Sequence, residues 1–232
     1  MAVKTLVLWD IDQTLMEARG LGHSWYRTAL QAAAGTELRH VPSFPGRTEM
    51  AISHELLVLH DIEPTPEQIA ALHRELIAVA DREHPLLLEH GRALAGAPEA
   101  LAALAARDDV VQSVVTGNLA EIARYKLAAY GLDPHVDLDI GGYGSLSPDR
   151  PALVIDAIRR ATTKHGHPFP ADSVVVLGDT PHDITAATHH GATAIGVATG
   201  RSTVADLQAA GAHTVLPDLT DTAAVLAAVL RT

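Results

Sequence analysis

The stretch LVLWDIDQTL, residues 6 to 15, runs apolar for four residues and then sets two carboxylates, Asp10 and Asp12, two positions apart. A short apolar run that stops at a polar turn is the pattern of a strand buried on both faces. The acids fall where such a strand would end. One acid at a strand end can simply cap the next helix, so the pair acquires chemical meaning only from what the rest of the chain brings to it.

The C-terminal half repeats the pattern. Short β-branched runs at 110–116 (VVQSVVT), 136–142 (VDLDIGG), 173–179 (SVVVLGD), 193–199 (TAIGVAT) and 213–219 (HTVLPDL) alternate with amphipathic segments such as GAPEALAALAAR, LAEIARYKLAAYG and PALVIDAIRRA. Several of these segments end at a glycine suited to a left-handed cap: Gly131, Gly191 and Gly211. Strands alternating with helices predict an α/β fold, a doubly wound, Rossmann-like parallel sheet. Nearly a hundred residues separate the first strand from the next clear one, far more than a βα connection needs. They read as helical: SWYRTALQAAAG, EMAISHELLVLHD, and TPEQIAALHRELIAVA with Thr65 as cap, Pro66 at the first helical position and Ile69, Leu72, Leu76 and Val79 on one face. The expected organisation is a core of residues 1–15 and 91–232 with a helical cap, 16–90, inserted after strand one. Ligands in open α/β sheets bind beyond the carboxyl ends of the strands, so the insert should cover the ligand site.

Bulk properties narrow the partners. The 232 residues are 47% hydrophobic and 19% charged, enough for a full core, and the formal net charge is −11. A mean negative field disfavours nucleic acid and anionic membrane surfaces. Cysteine is absent, which excludes thiolate metal sites and fits a reducing compartment. No apolar run approaches the roughly 20 residues that span a bilayer, and the N-terminal stretch reaches an acid before a signal core could form, so the expected location is cytoplasmic. The 14 histidines are scattered without HExxH spacing, which predicts surface or capping roles. Trp9 is expected in the core, and Trp25 and Tyr26 are expected to pack between insert helices.

If strands one, two and four are neighbours, their ends deliver Asp10 and Asp12, then Thr116, Gly117 and Asn118 (TGN), then Asp179 and Asp183 (GDTPHD) to one crevice. Four carboxylates there would repel one another unless a cation neutralised them. Ligation by oxygen alone points to Mg2+.

With DIDQT, TGN and GDTPHD in this order, the sequence resembles the haloacid dehalogenase-like hydrolase superfamily, in its branch of phosphoglycolate phosphatase-like and beta-phosphoglucomutase-like proteins with a small helical cap. The resemblance implies a phosphatase acting on a small phosphorylated metabolite, with Asp10 as nucleophile and Asp12 as general acid and base. It implies Mg2+ held by the Asp10 carboxylate, the Asp12 carbonyl and Asp179, with Asp183 bracing the metal's waters. Thr14 would hold the loop, while Thr116, Gly117 and Asn118 would bind phosphoryl oxygens. Members usually place a lysine before a proline ahead of strand four; here Arg150 precedes Pro151, and Lys126 is the alternative. A compact point charge favours Lys126. Arg47 and Thr48, in FPGRTEM, would face the substrate from the cap.

Other activities of the same scaffold leave different traces. Dehalogenases of the family lack the second acid, so Asp12 argues against that chemistry. Phosphonate cleavage needs a cap lysine, and residues 16–90 contain none. A phosphomutase and a non-catalytic regulatory protein remain as alternatives.

Overall fold

The computed structural model describes residues 5–231, so residues 1–4 and 232 of the expected core domain lie outside the described residues. Six parallel strands form the main sheet: β1 (Thr5–Trp9), β4 (Val110–Thr116), β5 (Gly142–Tyr143), β6 (Val174–Gly178), β7 (Thr193–Val197) and β8 (Thr214–Leu216), in the order β5-β4-β1-β6-β7-β8. β1 therefore lies between β4 and β6, which makes strands one, two and four of the acid-bearing set neighbours. A further short pair, β2 (Met16–Glu17) and β3 (Arg92–Ala93), runs antiparallel and joins the two ends of the helical insert.

The period of two along each strand divides the core into two layers. Val7 and Trp9 of β1 and Val175 and Leu177 of β6 face one apolar cluster; Leu6, Leu8, Val174 and Val176 face the other. The first cluster is covered by α5 (Ala97–Ala105), α6 (Ala120–Ala128) and α10 (Thr222–Leu230), the second by α7 (Arg150–His165), α8 (Pro181–His189) and α9 (Val204–Ala209). Both faces of the sheet are thus buried, which is why its strands read as continuous apolar runs rather than alternating ones.

The insert consists of α1 (Leu21–Ala34), α2 (Glu49–Val58) and α3 (Pro66–Glu83), followed by a 3-10 turn and the four-residue α4 (Leu87–His90). Thr65 caps α3 by accepting from the Gln68 N–H at 3.3 Å, and Ile69, Leu72, Leu76 and Val79 are buried, as the periodicity predicts. These residues join the same apolar cluster as Trp9 and Leu177, so the insert is packed on the core as a continuation of it. No helix among the described residues is long and apolar enough to cross a membrane.

Three local expectations change. The segment 136–142 is strand only at Gly142–Tyr143, and Leu138–Ile140 is a 3-10 turn. Asp137 accepts from the Asp139 N–H at 3.1 Å, an Asx turn that competes with strand pairing. Residues 222–230 form a helix that the sequence reading left out; Asp221 caps it by accepting from the Ala224 N–H at 3.0 Å. His60 is buried rather than superficial, with its Nε2 2.9 Å from the Arg39 amide nitrogen and its Nδ1 2.8 Å from the Leu56 carbonyl oxygen.

Candidate active site

Register alone brings the acids together. Trp9 pairs with Val114 on one side and Leu177 on the other. Two residues further along each strand, Thr116 and Asp179 flank position 11, between Asp10 and Asp12. The Asp10 amide still donates to the Leu177 carbonyl at 2.8 Å, so pairing continues to the first acid. Beyond Asp12 the chain turns sharply. Gln13 adopts φ 63°, in the left-handed region that few side chains tolerate, and its carbonyl accepts from Thr199 Oγ1 at 2.5 Å. Thr14 Oγ1 reaches Asp10 Oδ2 at 3.4 Å.

Asp10, Asp179 and Asp183 are all buried, and each offers an oxygen within 4.8 Å of the others. Asp183 stands at the third position of α8, where its Oδ2 accepts from the Thr180 N–H at 3.1 Å and hydroxyl at 2.7 Å. Gly178 makes room for it, because a Cβ there would lie 2.2 Å from the Asp183 carboxyl carbon. Burial, then the charge of Asp183, pushes the Asp10 carboxyl up to about 7. Burial, then Asp10 and Asp183, pushes Asp179 up to about 9. Buried acids with elevated pKa values and too few donors form the donor set a hard divalent cation takes. Asp183 Oδ1 accepts no well-aligned hydrogen bond despite its burial, and its close partner is the Arg150 guanidinium at 2.5 Å.

The two candidate cations take different acids. Arg150, buried at the first position of α7, places Nη2 2.6 Å from Asp10 Oδ1 and 2.5 Å from Asp183 Oδ1. Burial disfavours the guanidinium charge, but Asp183 and Asp10 outweigh it and its pKa is raised. Its Nε is buried with no acceptor. Lys126 instead binds Asp12 at 2.6 Å and 2.7 Å and Asn118 Oδ1 at 2.7 Å. On sequence, Lys126 is favoured over Arg150 as the charge beside Asp10; in the structure Arg150 stands there. A side chain projecting from the first turn of α7 reaches Asp10 directly, whereas Lys126, two turns into α6, arrives on the Asp12 side.

The TGN segment joins Asp12 to the insert. Asn118 Nδ2 donates to Asp12 Oδ2 at 2.7 Å and to Thr116 Oγ1 at 2.7 Å, while the Asn118 amide also points at Thr116 Oγ1 at 3.3 Å. The Gly117 carbonyl accepts from the Glu49 N–H at 2.8 Å. Gly117 lies so close to the insert that a Cβ would stand 2.0 Å from the Arg47 carbonyl oxygen.

Arg47 and Thr48 are placed otherwise than expected. The Arg47 guanidinium turns back onto the insert, 2.5 Å from Glu55 Oε2 and 3.3 Å from the Ser43 and Ala51 carbonyls. Thr48 is the N-cap of α2, accepting from the Ala51 N–H at 3.3 Å. Both line a cavity of about 510 Å³ with Asp149, Arg150 and His182. That cavity shares Arg150 alone with the acid cluster and lies beside it. Two groups at the site escaped sequence reasoning: Thr199, which holds the Gln13 turn from 186 positions away, and Glu49, inside the quoted FPGRTEM motif.

Fold and site together define an α/β protein with acids from neighbouring strand tips gathered beneath a helical insert. The family profile of haloacid dehalogenase-like hydrolases matches residues 7–188, and the chain belongs to that family. No curated protein matches it. Among solved structures, it is similar to a hydrolase from Pseudomonas syringae (24% identity, 95% of this chain and 97% of that one, TM-score 0.66). A predicted phosphoglycolate phosphatase from Haemophilus somnus 129pt shares 19% identity over 97% and 99% of the two chains, with TM-score 0.66. A protein assigned as a beta-phosphoglucomutase from Thermotoga maritima shares 20% over 96% and 98%, with TM-score 0.58. Identities this low speak for the fold alone.

Proposed function

We propose that the protein is a Mg2+-dependent phosphatase that hydrolyses a small phosphorylated metabolite, phosphoglycolate-like or a sugar phosphate, through an aspartyl phosphate on Asp10. The observation that carries this reading is the contact of Arg150 with Asp10 at 2.6 Å inside a buried triad of carboxylates. A nucleophilic carboxylate needs one cation to hold it and a second to offset the incoming phosphoryl charge.

In this reading the Asp10, Asp179 and Asp183 side chains and the Asp12 carbonyl would hold Mg2+. The ion would supply charge neutralisation for the phosphoryl oxygens. Asp10 attacks phosphorus with the oxygen that Arg150 leaves free. Asp12, on a side chain 41% exposed and tethered by Lys126 and Asn118, gives a proton to the leaving oxygen and later takes one from water. Thr116, Gly117 and Asn118 orient phosphoryl oxygens, and Arg150 neutralises them. Residues 16–90 serve as the cap, supported by the bonds that tie Glu49 and Met50 N–H groups to the Gly117 and Gly144 carbonyls, each 2.8 Å.

The test is phosphate release across a panel of phosphorylated metabolites, with and without Mg2+. Release should require the metal and fall about 10^4-fold or more in Asp10→Asn. Activity surviving that substitution would remove the nucleophile from Asp10. The likeness to the Thermotoga protein keeps a phosphomutase as the second reading, and an isomerised sugar phosphate in place of free phosphate would select it.

A further inference from the structure

Among the described residues of the insert, Glu49 is the one buried Asp, Glu, Lys or Arg. It opens α2, and its N–H bond to Gly117 sets it one residue from Asn118, which holds Asp12. Its Oε1 accepts from the Tyr26 hydroxyl at 2.5 Å and the Ser53 hydroxyl at 3.0 Å. His73 Nε2 backs Ser53 at 3.1 Å, and Phe44 stacks on Tyr26 with ring centroids 5.1 Å apart. No described residue donates to Oε2. Burial raises the Glu49 pKa, while the Tyr26 and Ser53 bonds and the charge of Lys126 act against it. Lys126, whose charge acts on Glu49, is bound to Asp12 at 2.6 Å, and this sets Glu49 on the Asp12 side of the sheet edge.

A purely structural role would be to favour the α2 dipole, but that needs no burial. Glu67 occupies the first turn of α3 in an exposed position. Oε1 is satisfied by two hydroxyls, while Oε2 has no protein donor among the described residues and is not sealed from solvent, so it is free to meet a ligand. The nearby insert cation does not balance it toward the site, since Arg47 is turned onto Glu55. The buried charge that the insert carries beside Gly117 is therefore a hydrogen-bond acceptor.

We propose that Glu49, held by Tyr26 and Ser53, determines substrate choice: Oε2 accepts a hydrogen bond from a hydroxyl or ammonium of the leaving group and repels a leaving group that carries its own carboxylate. The substrate class is then the phosphate monoesters of polyols or amino alcohols, and hydroxy-acid phosphates are excluded. This rests on the phosphatase reading and narrows it. A site built around a substrate donor discriminates strongly, and like charges brought together discriminate further.

The test compares kcat/KM for glycerol phosphate and phosphoethanolamine against phosphoglycolate, in the wild type and in Glu49→Gln, with p-nitrophenyl phosphate as reference. The wild type should prefer the first two esters, and Glu49→Gln should shrink that preference about 10-fold or more. An unchanged ratio with a lowered Tm would make Glu49 a structural tie and overturn the proposal. Should Glu49→Gln fail to fold, Tyr26→Phe, which removes one donor to Oε1, must shift the same ratio. Thermal-shift titration of Asp10→Asn with the same esters reads binding without turnover. If the reference ester is not hydrolysed, the phosphatase reading fails, while equal shifts from all three esters would sink the assignment of Glu49 separately.

Discussion

The carboxyl edge of the sheet and the helical insert each bury charge, by different means. At the edge, Asp10, Thr116 and Asp179 are positioned by strand register, and every neighbour of β1 is fixed by backbone pairing. In the insert, Glu49 and Ser53 are one turn apart on α2, but Tyr26 of α1 and His73 of α3 reach them only because the three helices pack together. Backbone pairing repeats in sequence and can be read there; side-chain convergence across packed helices cannot. In the proposed reading the edge supplies the general chemistry and the insert the choice of substrate.

The sharpest way to break this contrast is at the edge itself. Arg150→Ala leaves Asp10 and Asp183 buried without their cation, which should cost about 3–5 kcal/mol of stability and roughly 10^2 to 10^3-fold in kcat. Lys126→Met should cost less, about 1–2 kcal/mol, because Lys126 is buried and also bonds Asn118 but the Asp12 side chain is 41% exposed and water can reach it. Chemical denaturation and single-turnover rates check both; a larger loss in the lysine variant would reverse the division of labour between the two cations. Where the regions meet, Gly117→Ala drives a Cβ against the Arg47 carbonyl 2.0 Å away. Overpacking of this kind costs about 1–3 kcal/mol. The variant should loosen the insert, read as faster proteolysis between residues 40 and 50, with the sheet intact by circular dichroism. Undiminished protection there would mean that the insert does not depend on this contact.

The last effect is in pH. Asp10 and Asp179 have folded-state pKa values raised to about 7 and about 9, first by burial and then by neighbouring acids. A folded state with raised carboxylate pKa values holds protons that the unfolded chain has already released. Metal-free protein should therefore lose stability as pH rises from about 4 through 9. Mg2+ competes with those protons, so its stabilisation should grow over the same range. Melting curves in chelator and in Mg2+ should diverge progressively from pH 5 to 9. A Tm in chelator that climbs with pH would contradict the burial of three carboxylates around the single Arg150 cation.

Much of the edge was legible because its signals are local. The apolar runs, the polar residues at their ends and the left-handed glycines Gly131, Gly191 and Gly211 each carry their meaning within a few positions. The segment 136–142 misled because Asp137 satisfies a backbone N–H by itself, and the strand signal of Val136, Leu138 and Ile140 loses to that turn. Arg47 drew attention as a loop cation, but its partner Glu55 lies two helical turns away, on a face that no spacing rule singles out. Glu49 stood unremarked in the same motif, since an acid opening a helix is ordinarily a surface residue.

By itself, the sequence determined the α/β alternation, the helical insert after strand one and the acids at the strand tips, because backbone propensity and period-two burial act over short distances. Only the tertiary structure decided that Arg150 meets Asp10 and Lys126 meets Asp12, that Arg47 faces its own helix, and that Glu49 is buried above Gly117. Those outcomes depend on which side chains packing brings within hydrogen-bond range, and a charge buried among neighbours far along the chain takes its partner from the fold.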